Sequence, residues 1–253
     1  MLGWKIFVHS VRMVFGNFKQ ALQITLGPSL IATALTIALF FLIDIPWDQL
    51  DASTGAFPST AANVSFAILV VCVAIIFVLT MFWIAVSWHR FILLTEYPSG
   101  IFPAFRFDRI LAYLGRILLL GLLMGVAFLP MSVLLLATGG GAFSAAVMVV
   151  YAIFLIVAFY RLSVILPAAA LGEPLSLSNA WGSTSSAGGA IIVLLVVNAL
   201  FQFLVQMVFT LLAIIPILGI LLTLLFSMLV LPLINVSILT TMYGVFIEKR
   251  ELD

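Results

Sequence analysis

The chain has 253 residues, of which 65% are hydrophobic and 8% charged, and its net charge is +1 at pH 7. Soluble domains average roughly 45–50% apolar and about 25% charged residues, so this composition excludes a soluble globular protein and leaves lipid as the solvent. The near-neutral charge does not indicate a nucleic-acid partner. The single cysteine, Cys72, excludes an intrachain disulfide and has no zinc or redox spacing around it.

Residues 4–22 carry apolar side chains at helical spacing, whereas Lys5, Arg12 and Lys19 fall on the opposite side. This pattern predicts an amphipathic helix that lies in the membrane interface, with its cations toward anionic headgroups. The same charges interrupt the apolar sequence, so we do not expect a cleavable signal peptide.

Six apolar stretches follow, each as long as the ~20 residues that a membrane span needs. They cover approximately 24–43, 64–94, 116–138, 143–165, 190–212 and 220–247. The apolar turn 214–219, which contains Pro216, is expected to stay at membrane depth. The predicted fold is therefore all-α, a polytopic bundle of six transmembrane helices with amphipathic interfacial elbow helices.

The positive charges indicate the orientation of this bundle. All ten Lys and Arg residues lie in or next to the N-terminal segment, the second and fourth loops, and the C-terminus. The first, third and fifth loops contain none. Because Lys and Arg in short loops remain on the cytoplasmic side, we expect both termini in the cytoplasm.

The same layout predicts three repeated units, each an amphipathic segment followed by a two-helix hairpin, within one membrane domain. The units cover 1–97, 98–173 and 174–253. Matched positions in successive units are Arg90 and Arg161, Glu96 and Glu173, Pro98 and Pro174, and Phe105 and Trp181. We interpret each proline as the start of an interfacial helix that its aromatic residue anchors. Such matches also arise by chance, so duplication and coincidence both remain open.

These features resemble uncharacterised bacterial families of six-helix membrane proteins. The resemblance rests on the arginines at the inner ends of the second and fourth spans, the Leu-Pro-Ala-Ala sequence at 166–169, and the Ala-Trp pair at 180–181. One such family is the membrane domain fused to some glycerophosphodiester phosphodiesterases. The sequence contains no soluble phosphodiesterase domain, so the resemblance implies a bacterial inner membrane but not that activity.

The fifth span carries a stripe of amides, because Asn198, Gln202 and Gln206 are spaced four residues apart. An unpaired amide in hydrocarbon costs several kcal/mol, so the stripe should face the bundle interior or a partner. It is interpreted either as a polar path or binding groove, or as hydrogen bonding between helices.

Arg90 and Arg161 are the ionisable residues expected to lie deepest below the interface. An ion within the membrane is a functional candidate by default. Two interpretations remain open for both: snorkelling with pairing to Glu96, Glu173 or lipid phosphate, or recognition of an anionic headgroup or substrate. Gly121 and Gly125 form a GxxxG motif in the third span, which permits close packing within the chain or between chains.

The sequence contains no catalytic pattern. Neither His9 nor His89 has a second ligand at metal spacing, and there is no GxSxG motif. We therefore expect no enzyme activity, no cofactor and no metal. The first hypothesis is an accessory or scaffold protein that binds membrane lipids or another membrane protein. The alternative is a transporter of a small solute or lipid with a polar path along the fifth span.

Overall fold

The structure is a computed structural model that describes residues 1–51, 53–55, 57–139 and 141–252. Within these ranges the chain is helical, without strands beyond isolated bridges. The α-helices are α1 (Leu2–Gly16), α2 (Phe18–Leu42), α3 (Thr60–Leu94), α4 (Phe107–Thr138), α5 (Ala142–Leu162), α6 (Ile165–Leu171), α7 (Leu177–Ser183), α8 (Gly188–Leu212), α9 (Leu218–Leu225) and α10 (Leu231–Phe246).

Six helical segments of the described chain are long and apolar enough to cross a membrane, which confirms the predicted number of spans and is consistent with a multi-pass membrane protein. These segments are α2, α3, α4, α5 continued by α6, α8, and α9 continued through a π-helix (Phe226–Val230) into α10. The third span begins at Phe107 rather than near residue 116. With 35 residues, α3 is about 50 Å long, more than the ~30 Å hydrocarbon core.

The helix predicted over residues 4–22 is divided by a break at Asn17. There the backbone leaves helical geometry, with φ −116° and ψ 36°, and the side-chain amide donates to the carbonyl oxygen of Met13 at 2.9 Å. As a result, α1 ends at Gly16 and the residues from Phe18 onward belong to the first span. One face of α1 is buried against α8 and α10, whereas Trp4 on the predicted apolar face is exposed.

The elbow helix predicted to start at Pro98 is wrong, because residues 95–106 form no helix. A helix that started at Pro98 would have to continue through Gly100, which has a φ of +77°, and through Pro103, which lacks the amide hydrogen that a helix interior needs. The segment instead lies against the spans: Gln23 donates to the Gly100 carbonyl at 3.0 Å and Trp83 to that of Ala104 at 3.3 Å.

Both termini and the segments 95–106 and 172–187 meet at one end of the bundle, which we call the charged end. Lys5 donates to the Leu252 carbonyl at 3.3 Å, and Arg250 donates to that of Leu93 at 3.5 Å. The main buried cluster also lies toward this end. By contrast, only 11–22% of the residues in the most apolar window of each span are buried, so the spans leave much apolar surface for lipid or a partner to cover.

Candidate functional site

The first predicted site residue, Arg90, lies at the end of α3 in an ion-pair network. Its Nε donates to Glu96 at 2.7 Å and its Nη1 to the Ala170 carbonyl at 3.2 Å. Arg106 donates to the other oxygen of Glu96 at 2.8 Å. The left-handed residue Thr95 (φ 54°) ends α3 and turns the chain back, which brings Glu96 beside Arg90. The pairing of Arg90 with Glu96 is therefore seen in the structure.

Glu96 is the carboxylate that Arg90 and Arg106 share in this network. Partial burial raises the pKa of Glu96, but hydrogen bonds and charge from Arg106 and Arg90 outweigh it and hold the pKa below its ordinary value. A neighbouring cavity of about 20 Å³ is lined in part by Ser87, Arg90 and Glu96, and the buried Ser87 hydroxyl has no partner among the described residues. A cavity of that size holds about one water molecule and not a lipid headgroup. The geometry therefore favours a structural role for Arg90.

Arg161 is held differently from Arg90. Its guanidinium lies over the Trp181 ring at 3.6 Å from the centroid and donates to the Trp181 carbonyl at 2.6 Å. Glu173, the other predicted partner, instead accepts a hydrogen bond from the Tyr243 hydroxyl. Arg161 thus joins α5 to α7 through cation–π stacking. The two arginines that the repeat pattern treated as equivalent have different contacts.

A layer of buried hydroxyls connects α10 to α1 and α3, and the sequence analysis did not identify it. The Trp88 indole donates to Ser237 at 2.8 Å, His89 Nδ1 is hydrogen bonded to Thr240 at 2.8 Å, and Ser10 is hydrogen bonded to Thr241 at 2.9 Å. The layer could have been predicted from the spacing of Ser237, Thr240 and Thr241, which places three hydroxyls on one face of a helix.

His89 is buried, and one of its ring nitrogens has no partner among the described residues. The Thr240 hydroxyl donates to the Val236 carbonyl at 2.9 Å, so it accepts from His89 Nδ1–H. His89 Nε2 is then an acceptor without a donor among the described residues. Within those residues no cluster of three or more His, Cys, Asp or Glu side chains could hold a metal ion.

The amide stripe lies along α8 and runs from the bundle interior to its surface. The Asn198 carbonyl oxygen is buried and accepts no hydrogen bond in the described chain. Gln202 is half-buried and Gln206 is exposed. Gln206 accepts a hydrogen bond from Thr210 through its main-chain carbonyl at 2.9 Å, but neither glutamine side chain bonds to another described residue. The predicted hydrogen bonds between helices are therefore not formed within the described chain.

The structure does not bring all the predicted site residues together. Arg90 and Arg161 lie at the charged end, in separate contacts, whereas Gln206 lies about 27 Å along α8 from its start at Gly188. Gly121 of the GxxxG motif is also unpacked within the described chain, because an added Cβ there would meet nothing within 4 Å. The five residues thus form two packing contacts, at Arg90 and Arg161, and one amide stripe that is exposed only at Gln206.

Comparison with known protein families, curated proteins and solved structures finds no match to this chain. The resemblance to the phosphodiesterase-fused membrane domain therefore stays a prediction from short motifs.

Proposed function

We propose that this chain is a non-enzymatic multi-pass protein of the bacterial inner membrane, with both termini in the cytoplasm, that associates with another membrane protein through α8. The observation that carries the proposal is the amide stripe of Asn198, Gln202 and Gln206, in which the buried Asn198 oxygen accepts no hydrogen bond from a described residue and Gln206 is exposed. Association of this kind suits an accessory, assembly or scaffold role.

In a bilayer, the surroundings of these amides decide their free energy. Beyond Asn198, α8 exposes large apolar side chains, among them Phe203, Leu204 and Met207. Lipid tails would therefore surround Gln206 if nothing else covered it, and they offer no hydrogen bonds. A second transmembrane helix would remove that cost by supplying donors and acceptors. The stripe has no charge, so the partner helix that fits it is neutral and carries Ser, Thr, Asn or Gln.

Transport of a small solute or lipid is the second candidate function, and Asn198 supports it. Its unpaired oxygen is buried about 15 Å along α8 from the charged end, near the middle of a ~30 Å hydrocarbon core. Gln206, however, is exposed on the outside of this chain. A path along the whole stripe would need a partner to close it, so association is the more direct proposal.

The test is affinity purification in native nanodiscs with mass spectrometry of protein and lipid, comparing the wild type with Gln202→Leu and Gln206→Leu. A hydrogen bond between membrane helices contributes ~0.6 kcal/mol on average, so each substitution should reduce recovery of the partner about threefold. The control is Thr33→Val on α2: Thr33 is also exposed, but its hydroxyl already donates to the Ser29 carbonyl at 2.9 Å.

The outcomes of this purification are distinct. Equal recovery with all three variants would overturn an α8 interface, and loss of the partner through Gly121→Ile alone would place the interface on α4. A partner that proves to be a second copy of this chain is consistent with the proposal, because an amide both donates and accepts. A single chain that carries a defined solute would favour transport.

A further inference from the structure

A groove of about 630 Å³ at the charged end is separate from α8. One side is formed by α1 and the other by the end of α3. Its polar lining includes Lys5, His9 and Arg12, and its apolar lining includes Trp4 and Ile92. The volume lies within the range of roughly 300–1,000 Å³ that is typical of small-molecule sites.

The three basic side chains lie on one face of α1, because positions 5, 9 and 12 are four and three residues apart. Within the described chain, neither Lys5 nor Arg12 forms an ion pair with a carboxylate. Lys5 donates to the Leu252 carbonyl oxygen at 3.3 Å. The groove therefore carries positive charge that the described protein does not neutralise.

The charged residues of the C-terminal segment lie beside this groove. His9 also lines an adjoining cavity of about 180 Å³, together with Arg250 and Glu251. Arg250 is paired with Glu248 at 2.5 Å. The carboxylate of Glu251 belongs to the lining of this second cavity and is not among the residues that line the groove.

The position of α1 indicates how deep in the membrane the groove lies. Ile6 and Ser10 are fully buried on its opposite face, and Ser10 is bonded to Thr241, close to the end of the last span. The groove therefore opens where the spans end, which is the level of the headgroup phosphates. Exposed Trp4 suits the same level, because tryptophan is enriched at membrane–water interfaces.

We propose that this groove binds the phosphate group of an anionic phospholipid, with Lys5 and Arg12 donating to the phosphate oxygens and His9 beside them. Arginine and lysine both form charge-assisted hydrogen bonds to phosphate. Trp4 and Ile92 contact the glycerol backbone and the first carbons of the acyl chains. This site is independent of association through α8.

The test is native mass spectrometry of the full chain titrated with dioleoylphosphatidylglycerol, with dioleoylphosphatidylcholine as the neutral reference. We expect tighter binding of the anionic lipid, and about fivefold weaker binding by Arg12→Gln, which corresponds to the ~1 kcal/mol that one cation contributes near anionic lipid. The control Lys19→Gln removes one exposed cation from α2 that does not line the groove, and it should bind like the wild type.

Three results would overturn the proposal. One is equal weakening by Lys19→Gln and Arg12→Gln, because net charge and not the groove would then govern binding. Another is tight binding of inorganic phosphate or glycerol phosphate without the lipid, which would assign the groove to a soluble anion. The third is failure of Arg12→Lys to bind while its thermal unfolding matches the wild type. None of these results depends on whether Gln202→Leu loses a protein partner, so the two proposals fail separately.

Discussion

At the residue scale, Glu96 connects three parts of the charged end. It accepts hydrogen bonds from Arg90 at the end of α3 and from Arg106 just before α4. Arg90 also donates to the Ala170 carbonyl in α6. With Glu96→Gln, the mostly buried side chain of Arg90, 13% exposed, would face no carboxylate. We expect the free energy of unfolding to fall by ~1–3 kcal/mol, the usual cost of leaving a buried hydrogen-bonding group without its partner.

The contribution of Glu96 to stability should also depend on pH. Because the folded protein holds the pKa of Glu96 below its ordinary 4.5, the stabilisation is fully present above that pH and is lost as pH falls through the lowered value. Glu248 changes the stability in the opposite direction, because burial raises its pKa in the folded protein. Its contribution to the free energy of unfolding is fully present below pH 4.5 and is lost as the pH rises through the raised pKa.

The measurement is thermal unfolding in detergent between pH 3 and 7. Glu96→Gln should flatten the acid side of the stability curve, whereas Glu248→Gln should flatten the side above pH 4.5. The control Glu251→Gln removes a carboxylate that pairs with no described cation. If Glu251→Gln destabilised the protein as much as Glu96→Gln, the role assigned to the network around Glu96 would be wrong.

A second prediction concerns the close contact of α1 with α8. A Cβ on Gly3 would overlap the main-chain oxygen of Ala190, and backbone cannot yield as a flexible side chain can. Gly3→Ala should therefore destabilise the protein by ~1–3 kcal/mol, as overpacking usually does. Gly16→Ala, at the other end of the same helix, meets open space and should be neutral or stabilising. Equal melting temperatures of the two variants would contradict this packing.

At the element scale, the turn between α8 and α9 is strained. Ile217 has φ 61° and ψ −64°, and Leu218 N–H donates to the Pro216 carbonyl at 2.6 Å, which makes a γ-turn centred on a β-branched residue. Left-handed backbone costs such a residue roughly 1–2 kcal/mol. Ile217→Gly should therefore raise the free energy of unfolding by about 1 kcal/mol, since glycine adopts this geometry freely. The control Ile214→Gly removes a similarly exposed side chain and should not stabilise.

The elements could be predicted from the sequence to different extents. The six spans were predictable because each is recognised from the summed hydropathy of about 20 residues, which one exceptional residue barely changes. The break at Asn17 was not, since it depends on one backbone conformation within an otherwise helical pattern. The predicted elbow at Pro98 failed because a proline favours the first turn of a helix but equally favours extended backbone.

At the scale of the whole molecule, the candidate site depended on contacts between residues far apart in the chain. The pairing of Arg90 with Glu96, six residues away, was one of the interpretations that the sequence left open. Sequence analysis could not predict that His89 would meet Thr240, because 151 residues separate them. The amide stripe of α8 was visible as a helical spacing, but only the structure indicates that Gln206 is exposed and bonded to no described side chain.

The placement of Lys and Arg predicts the orientation of the whole molecule in the membrane. All ten Lys and Arg residues lie at or near the charged end, where both termini meet. If that end is cytoplasmic, the opposite end faces the periplasm, and it carries the exposed Asp48. In a Cys72→Ala background, Asp48→Cys should react with a membrane-impermeant maleimide on intact spheroplasts. Glu251→Cys, at the charged end, should react only after lysis.

Leu122→Cys is the control for this labelling experiment. Its side chain is exposed on α4 but lies within a span, where lipid should suppress formation of the reactive thiolate, so it should stay unlabelled in both conditions. Labelling of Glu251→Cys on intact spheroplasts, with Asp48→Cys protected, would reverse the orientation. The groove beside Lys5 and Arg12 would then face the outer leaflet. A cytoplasmic charged end places the groove at the leaflet whose anionic headgroups attract it.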